Sequence, residues 1–468
     1  MSDPAPHALR LIVIGGGPGG YTAALRAAQL GAEVTLVEKG RLGGTCLNRG
    51  CIPTKALLSS VEALGKARSG GDFGFTGAES AVPDFSRMQE RKNDIVSRLR
   101  DGVSLLLRKR NVTVVAGSAQ MTGPGSVEVV SEEGRLVLEA DRVVVATGTE
   151  PAMPPFFDFS HPAVVTSTEL LELEGIPSSL LIVGAGAIGC EFLSIFTGLG
   201  TKVTMVEMMP QILPAEDPRI AKQLQGAFRK AGAEVLVKTK VERVVDYGER
   251  SITVELTGGA QVTGEKLLVS IGRRPNSDDL GLEAAGVEVD ARGFVKVDSQ
   301  LRTTAAGVYA VGDITGGMLL AHVAHYEGVL AAENCLGGSR ERDLRLVPRC
   351  VYSIPELAAI GLSEEQAREE GFDPVTGTFR LAALGKALAL GESQGFVQLV
   401  VDRRTDKILG ANMMGAHMTD VIHEVAVAMA AGMTCRDLAH VVHAHPTIAE
   451  AVMEAAAEAH GESVHVAS

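Results

Sequence analysis

The stretch LRLIVIGGGPGGYTAALRAAQLGAEVTLVEKG (9–40) has a close counterpart later in the chain, SLLIVGAGAIGCEFLSIFTGLGTKVTMVEMM (179–209). Each begins with an apolar, β-branched run typical of a buried parallel strand, then gives a G-x-G-x-x-G turn and an amphipathic helix. A second apolar strand ends at Glu38 or Glu207, which in both copies lies 23 positions after the first glycine (38 − 15 and 207 − 184). The shared register indicates two copies of one α/β unit.

The glycines of the two turns are Gly15, Gly17 and Gly20 in the first copy and Gly184, Gly186 and Gly189 in the second. Glycine at the first two positions permits a tight turn and lets backbone N–H groups approach a pyrophosphate, and the third lets helix and strand pack closely. The helix N-terminus presents free N–H groups and a positive dipole end to that anion. Two copies in register argue against a chance glycine-rich turn and predict two dinucleotide sites.

The acids that end the second strands indicate which dinucleotides are bound. A carboxylate at this position accepts hydrogen bonds from both ribose hydroxyls, whereas an arginine suits a 2′-phosphate, so Glu207 favours NAD over NADP. Glu38 has the same place in the first copy. Two dinucleotide sites in one chain favour a flavin that stays bound and a nicotinamide that exchanges.

Three later segments resemble parts of two-dinucleotide flavoproteins: DRVVVATGTEP (141–151), LLVSIGRRPN (267–276) and GVYAVGDITGG (307–317). The first two are apolar strands that end near Gly148 and Gly272. They resemble the segments at which the chain of such proteins leaves the FAD and NAD folds. The third resembles a second FAD fingerprint, in which Asp313 would bind the ribityl chain. We therefore expect the first copy to be the FAD fold, interrupted by the NAD fold.

Two of the chain's 6 cysteines, Cys46 and Cys51, lie five positions apart in GGTCLNRGCIPTK (43–55). In a regular helix that spacing is about 7.5 Å along the axis, too far for a disulfide. If the two bond, the segment between them folds more tightly than an α-helix, and Gly50 supplies the freedom for that.

A metal clip would need further ligands, and neither Cys nor His follows nearby, so we predict no metal site. Two thiols without a role are the other alternative, but a cysteine near a helix start has a stabilised thiolate that invites oxidation. We favour a reversible dithiol/disulfide beside the flavin. The remaining cysteines are expected to be small buried hydrophobes, namely Cys190, Cys335, Cys350 and Cys435.

Composition excludes several classes of partner. The 44 Lys and Arg against 57 Asp and Glu give a net charge of −13, so nucleic acid and anionic membranes are poor partners. Apolar runs such as 180–190 fall short of the roughly 18 residues of a membrane span. The N-terminal MSDPAPHA lacks a basic region followed by an apolar one, and is not expected to be a secretory signal. We predict a soluble cytoplasmic protein.

The cysteine segment and its flanking folds are similar to the pyridine nucleotide-disulfide oxidoreductases, and within them resemble the dihydrolipoamide dehydrogenases. The resemblance covers nearly the whole chain, including MLLAHVAHYEG (318–328), VPRCVYSIPELAAIGLSEEQA (347–367), DKILGANMMG (406–415) and HAHPTIAEAV (443–452). It implies a homodimer that oxidises dihydrolipoamide with FAD and NAD, and partners that are lipoyl domains of 2-oxo acid dehydrogenase complexes or the glycine cleavage H protein. Glutathione reductases share the cysteines but usually prefer NADPH; a disulfide reductase of that kind is the alternative, and a purely non-enzymatic role is a weaker one.

The resemblance also implies a domain order. We expect an α/β chain with two Rossmann-like dinucleotide-binding domains and a C-terminal α+β dimerisation domain. The expected domains are FAD-binding (1–150), NAD-binding (151–275), central, completing the FAD site (276–346), and interface (347–468).

Histidine is the natural base for deprotonating a dithiol near neutral pH. The family places this base at the His before Pro, here His445, with Glu450 orienting it, and puts both on the partner subunit facing Cys46. On residue pattern alone, Thr447 and Glu450 also fit the T-x-x-E of a helix capping box.

The family further pairs the lysine of C-I-P-[ST]-K, here Lys55, with the glutamate after the NAD glycines, here Glu191, close to the flavin. Both residues could otherwise be solvated surface charges. The implied roles make Cys46 the thiol that meets the substrate and Cys51 the thiol that meets the flavin. One departure is Val323, where the family often has lysine.

Overall fold

The computed structural model describes residues 8–466, so the expectation drawn from the first seven residues lies outside the described part. The strands, in chain order, are β1 (Arg10–Ile14), β2 (Glu33–Glu38), β3 (Thr113–Ala116), β4 (Ser118–Gly123), β5 (Ser126–Ser131), β6 (Gly134–Glu139), β7 (Arg142–Val145), β8 (Thr149–Pro151), β9 (Val164–Val165), β10 (Ser179–Val183), β11 (Lys202–Val206), β12 (Glu234–Leu236), β13 (Val241–Tyr247), β14 (Ile252–Leu256), β15 (Gln261–Gly264), β16 (Lys266–Val269), β17 (Arg273–Pro275), β18 (Val308–Ala310), β19 (Arg349–Val351), β20 (Glu356–Gly361), β21 (Pro374–Arg380), β22 (Phe396–Asp402) and β23 (Ile408–Gly415).

The α-helices are α1 (Pro18–Gln29), α2 (Gly44–Arg49), α3 (Cys51–Arg68), α4 (Phe85–Lys109), α5 (Ser167–Leu170), α6 (Ala187–Gly198), α7 (Pro218–Lys230), α8 (Ala321–Cys335), α9 (Glu364–Glu369), α10 (Gly385–Ala389), α11 (Met418–Ala431), α12 (Cys435–Ala439) and α13 (Glu450–Glu458). Short 3₁₀ turns cover Gly70–Phe73, Gly312–Thr315 and Leu381–Ala383. In the part of the chain that the structure describes, no helix combines the length and the apolar character needed to cross a membrane.

The first sheet is parallel, with strand order β18-β7-β1-β2-β3. Its strands are apolar because both faces are covered, and residues Leu11 to Ile14 of β1 are all buried. Helix α1 follows β1 directly and packs closely against α8. A Cβ built on Gly328 of α8 would lie 2.4 Å from the carbonyl oxygen of Gly19 in α1, so glycine is required at this crossing.

The second sheet repeats this design with the order β12-β11-β10-β16-β9, again parallel. The registers agree: Arg10 pairs with Glu33 in the first sheet and Ser179 with Lys202 in the second, an offset of 23 positions in both (33 − 10 and 202 − 179). The duplication seen in the sequence is therefore a duplication of strand pairing. It confirms the two predicted Rossmann-like folds.

The chain leaves the first sheet after β7, builds the second sheet, and returns to place β18 beside β7. Strands β8 and β17, which lie in the two connecting segments, pair antiparallel to each other. The first fold is thus completed only after the second has been made. The exact domain bounds stay a prediction.

The C-terminal part is built on an antiparallel sheet of order β19-β20-β23-β22-β21. Every residue of β22 and β23 is buried, because helices α11, α12 and α13 cover one face with apolar side chains while Phe396 and Met414 belong to the core cluster of the second dinucleotide fold. Smaller antiparallel sheets are formed by β4-β5-β6 and β13-β14-β15. This α+β unit agrees with the expected class of the C-terminal domain.

Candidate active site

Both glycine turns have backbone geometry that excludes side chains. Gly15 and Gly184 have φ angles of +104° and +102°, and a Cβ on them would lie 2.4 Å and 2.6 Å from the carbonyl oxygens of Ala146 and Ser270. A Cβ on Gly20 would lie 1.8 Å from Gly15 O, and one on Gly189 would lie 2.2 Å from Gly184 O. The first and third glycines therefore hold strand, turn and helix together.

The middle glycines have a different environment. Among the described residues, a Cβ on Gly186 would meet nothing within 4 Å, and one on Gly17 would meet only the Cα of Gly44, at 3.8 Å. The space that a side chain would fill in front of the N-termini of α1 and α6 is left free. It fits a pyrophosphate bound by backbone N–H groups, as the sequence pattern predicts.

The two acids are held in the same way, atom for atom. Glu38 accepts hydrogen bonds from Gly16 N–H at 2.6 Å and Gly40 N–H at 2.7 Å. Glu207 accepts from Ala185 N–H and from Met209 N–H, both at 2.8 Å. These backbone bonds fix the carboxylates at the strand ends, and each oxygen has a further lone pair for a ribose hydroxyl.

Asp313 lies at the edge of the first fold, in the 3₁₀ turn after β18. Thr149 Oγ1 donates to Asp313 Oδ2 at 2.7 Å, and Arg273 donates to Thr149 Oγ1 at 2.6 Å and to Thr149 O at 2.7 Å. Gly148, which precedes Thr149, has a φ of +67°, and Gly272, which precedes Arg273, has a φ of +142°. The two segments in which the chain leaves the first and the second fold, at Gly148 and Gly272, thus meet at Asp313.

The cysteine pair spans a break between two helices. Helix α2 ends at Arg49, Gly50 adopts φ −147° and ψ −112°, and α3 starts at Cys51. A Cβ on Gly50 would lie 3.0 Å from Thr45 O, so the chain turns tightly there. Both cysteines are half-buried thiols in this structure.

The two thiols differ in acidity. The hydrogen bond from Cys46 and, to a smaller extent, the Lys55 ammonium lower the pKa of Cys51 to about 7 against the opposing effect of burial. The hydrogen bond with Cys51 and burial raise the pKa of Cys46. The site therefore stabilises the thiolate of Cys51 rather than that of Cys46.

Lys55 lies one helical turn after Cys51 and reaches across to the second fold. Its Nζ donates to both carboxylate oxygens of Glu191 at 2.8 Å and lies 4.3 Å above the ring of Tyr352. Glu191 also accepts the N–H of Tyr352 at 3.1 Å. Close packing of α3 on α6 permits this contact, since a Cβ on Gly198 would lie 2.2 Å from Val61 Cγ1. The structure thus brings the two expected partners together.

His445 and Glu450 form a second group on the C-terminal domain. His445 Nδ1 lies 2.8 Å from Glu450 Oε1, and Thr447 N–H donates to Glu450 Oε2 at 2.8 Å. Burial raises the pKa of Glu450, but the hydrogen bonds from Thr447 and His445 leave it lowered overall. Among the described residues, no hydrogen bond or ion pair joins this group to the cysteines or to Lys55.

The capping-box alternative is realised only in part. Helix α13 begins at Glu450 with Ala449 as its N-cap, and the Thr447 hydroxyl donates to Ala444 O at 2.8 Å. Glu450 therefore binds the Thr447 N–H, as in a capping box, but Thr447 does not cap the helix. The other carboxylate oxygen of Glu450 binds His445.

Two further histidines, His443 and His322, have structural partners. The buried His443 binds Glu424 and the carbonyl of Val441, whereas His322 binds the carbonyl of Pro348 at 3.0 Å. Cys190, Cys335 and Cys435 are buried as expected, but Cys350 is only half-buried. Burial raises the pKa of Cys335, Cys350 and Cys435 to about 12 each and that of Cys190 still further.

Sequence reasoning missed the residues that support Asp313 and the turn that contains it. Arg273 is part of the I-G-R motif, but nothing in its spacing indicates a bond to Thr149. The buried Glu327 accepts the N–H of Gly312 at 2.7 Å and pairs with Arg342 at 2.9 Å, and its burial raises its pKa. The available signal was the position of Glu327, which falls at helical spacing on the same face of α8 as the apolar Val323 and Ala331.

Known proteins resemble this chain over almost its whole length. It is 40% identical to dihydrolipoyl dehydrogenase of Bacillus subtilis (strain 168) over 469 residues, covering 97% of this chain and 98% of the relative. It is 42% identical to dihydrolipoyl dehydrogenase of Chlorobaculum tepidum, covering 98% of each chain.

Solved structures agree with this. The crystal structure of LpdA from Mycobacterium tuberculosis matches with a TM-score of 0.90 at 29% identity, covering 96% of this chain and 99% of that one. The HOCl-induced flavoprotein disulfide reductase RclA from Escherichia coli matches with a TM-score of 0.87 at 32% identity, covering 96% and 99%.

Two family models cover most of the chain. The model described as pyridine nucleotide-disulphide oxidoreductase matches residues 9–328, and its dimerisation domain matches residues 347–456. The second match confirms the expected kind of C-terminal domain and supports a homodimer. With two dinucleotide folds, a paired-thiol segment and a dimerisation domain in this order, the chain belongs to the pyridine nucleotide-disulphide oxidoreductase family.

Proposed function

We propose that the protein is a dihydrolipoamide dehydrogenase, which oxidises protein-bound dihydrolipoamide to lipoamide and reduces NAD⁺ to NADH. The observation that carries the proposal is the thiol pair Cys46 and Cys51 beside Lys55, placed between two dinucleotide folds. Identities of 38–42% to dihydrolipoyl dehydrogenases across almost the full chain favour this substrate over other disulfides.

FAD and NAD(H) are the cofactors that the family implies, and the residues present fit them. In the first fold Gly15, Gly17, Gly20, Glu38 and Asp313 would hold FAD. In the second fold, Gly184, Gly186, Gly189 and Glu207 would face NAD, whereas Glu191, bound to Lys55, would lie close to the flavin. When bound, the flavin supplies the electron transfer between the thiol pair and the nicotinamide.

The contact between His445 and Glu450 determines which nitrogen of the imidazole acts as the base. A neutral imidazole that donates its Nδ1 proton to Glu450 Oε1 keeps Nε2 as an acceptor. Nε2 then takes a proton from the substrate dithiol, and the carboxylate stabilises the resulting imidazolium. Glu450 is kept ionised for this by its bonds to Thr447 N–H and His445.

Thiol exchange follows from the unequal acidity of the two cysteines. The substrate thiolate attacks Cys46 Sγ of the oxidised pair, the Cys46–Cys51 bond breaks, and Cys51 leaves as a thiolate. The second substrate thiol gives up its proton and displaces Cys46, which closes the product disulfide and leaves the enzyme with two reduced sulfurs. Lys55 favours Cys51 as the leaving group because its ammonium stabilises that thiolate.

The base and the thiol pair need not come from one chain. The side chain of His445 is 78% exposed in the single chain, whereas that of Glu450 is 16% exposed. An oriented base on an open surface of the dimerisation domain fits a site completed by a second subunit, with His445 of one chain serving Cys46 of the other. Lipoyl domains or the glycine cleavage H protein would reach this junction, in the cytoplasm.

A substrate comparison tests the proposal. The purified FAD-loaded protein is assayed with NAD⁺ and dihydrolipoamide, and separately with NADPH and oxidised glutathione. We expect kcat/KM for the first pair to exceed that for the second by several orders of magnitude. A preference for NADPH and glutathione would indicate a glutathione-reductase-like enzyme instead, and turnover with neither pair would favour a non-enzymatic role.

A further inference from the structure

We propose that Asp406, Cys435 and His460 form a binding site for Zn²⁺ in the C-terminal domain, separate from the redox-active cysteines. Their donor atoms, a carboxylate oxygen, Cys435 Sγ and an imidazole nitrogen, all lie within 4.8 Å of one another. This site departs from the expectation, drawn from the sequence, that the chain has no metal ligands.

The three residues come from different parts of the fold. Asp406 lies in the turn between β22 and β23, Cys435 is the first residue of α12, and His460 follows the end of α13. The backbone joins two of these segments, since Cys435 N–H donates to Asp406 O at 2.8 Å and Arg436 N–H donates to Asp406 Oδ2 at 3.0 Å. Asp406 is therefore held in place before any ion binds.

The polar atoms that face one another are buried without hydrogen-bond partners. Asp406 Oδ1 and His460 Nε2 are 3.1 Å apart, yet neither makes a hydrogen bond of acceptable geometry within the described residues. Burying such atoms unsatisfied is costly. A carboxylate oxygen and an imidazole nitrogen that converge beside a thiol, with no well-formed hydrogen bond between them, fit a shared cation.

The donor set selects the type of ion. One nitrogen, one sulfur and one oxygen suit Zn²⁺, whereas Ca²⁺ and Mg²⁺ take oxygen ligands. Three atoms that all lie within 4.8 Å of one another share a central point no more than about 2.8 Å from each, against Zn²⁺ bond lengths of about 2.0–2.3 Å. The side chains therefore need to move inward by at most about 0.5–0.8 Å, and a water can take the fourth position.

A nucleophilic role for the same three residues is disfavoured by access. Cys435 is 0% exposed, and its thiol donates to Ala456 O at 3.5 Å. A substrate cannot reach a sulfur in that position. An ion can enter from the side of Asp406 and His460, whose side chains are 27% and 17% exposed.

Binding would tie both ends of one segment to the sheet. Cys435 precedes and His460 follows the stretch that contains His445 and Glu450. When Zn²⁺ binds, the Cys435 S–H bond is replaced by an S–Zn bond, and the proton is released to the buffer. The expected role is structural, to stabilise the segment that carries the proposed base.

The test measures binding of Zn²⁺ alone to the FAD-loaded, oxidised protein, in which a Cys46–Cys51 disulfide leaves no thiolate to compete. By equilibrium dialysis, we expect one Zn²⁺ per chain. Cys435→Ser and His460→Gln should each weaken binding by about 100-fold or more, since even loss of a supporting residue costs about 10–100-fold. Cys335→Ser, which changes a buried thiol elsewhere, is the matched control and should bind as the parent does.

Two further measurements keep the result independent of folding. Asp406→Asn retains the left-handed backbone that Asp406 adopts, with φ +58°, and the acceptor for Arg436 N–H, so it should fold even if Cys435→Ser does not. Zn²⁺ should raise the Tm of the parent and of Cys335→Ser, but not of Asp406→Asn. Undiminished binding in the ligand variants, equal loss in Cys335→Ser, or no binding to the parent would overturn the proposal.

Discussion

Replacing Glu450 with glutamine should slow turnover much more than it destabilises the fold. The carboxylate now serves two groups, Thr447 N–H and His445 Nδ1, each at 2.8 Å. Glutamine keeps one carbonyl oxygen for Thr447 N–H and turns its NH₂ toward His445. Since an NH₂ can only donate, Nδ1 must accept, the proton moves to Nε2, and the imidazole loses its role as base.

The size of the effect follows from that change. General-base catalysis contributes about 10²–10⁴-fold, so kcat should fall by that factor, or about 2.7–5.4 kcal/mol of transition-state stabilisation. The loss of a negative charge at the first residue of α13 costs only about 0.3–1 kcal/mol. The Tm should therefore fall by no more than about 4 °C.

The assay compares kcat for dihydrolipoamide and NAD⁺ with thermal unfolding of the same preparation. Glu454→Gln is the matched control, because Glu454 lies one turn further along α13 and pairs with His465 at 2.6 Å. It should lose similar stability but keep near-parental turnover. If Glu450→Gln lowers the free energy of unfolding as much as the loss of a helix cap does, by about 0.5–2 kcal/mol, while kcat is unchanged, Glu450 only stabilises the start of the helix. The assignment of the base would then be wrong.

Three other outcomes are expected. Cys46→Ser and Cys51→Ser should each abolish lipoamide turnover while the flavin absorbance and NADH oxidation by artificial acceptors persist; loss of flavin would mean that the thiols are structural. Lys55→Met should raise the pKa of Cys51, so that the ultraviolet absorbance of the thiolate in the reduced enzyme, now expected above about pH 7, appears at higher pH; an unchanged titration would contradict the role given to Lys55. Glu207→Arg should lower kcat/KM for NAD⁺ by about 10–100-fold, as expected for lost hydrogen bonds to a charged group, and improve NADP⁺, whereas unaltered preference would separate Glu207 from the ribose.

Much of the fold could be predicted because its signals are local. A G-x-G-x-x-G turn between two apolar strands contains its own backbone requirements, and the 23-residue spacing to Glu38 and Glu207 is repeated in the strand register. The break at Gly50 was also predictable, since five residues of regular helix separate two cysteines too widely for a disulfide. The family resemblance supplied the roles of His445 and Lys55, which spacing alone does not indicate.

The sequence by itself thus determined the two dinucleotide folds and the presence of a paired-thiol segment, because each depends on neighbouring residues. Only the tertiary structure decided that Arg273 meets Thr149 and Asp313, and that Asp406 meets Cys435 and His460, whereas the pairing of Lys55 with Glu191 was expected from the family resemblance. Such contacts depend on how helices and turns pack across separations of up to 164 residues, as between Thr149 and Asp313. No local periodicity predicts that packing. The burial of a side chain and its distance from a remote partner depend on the packing of the whole core rather than on the neighbouring residues in the chain.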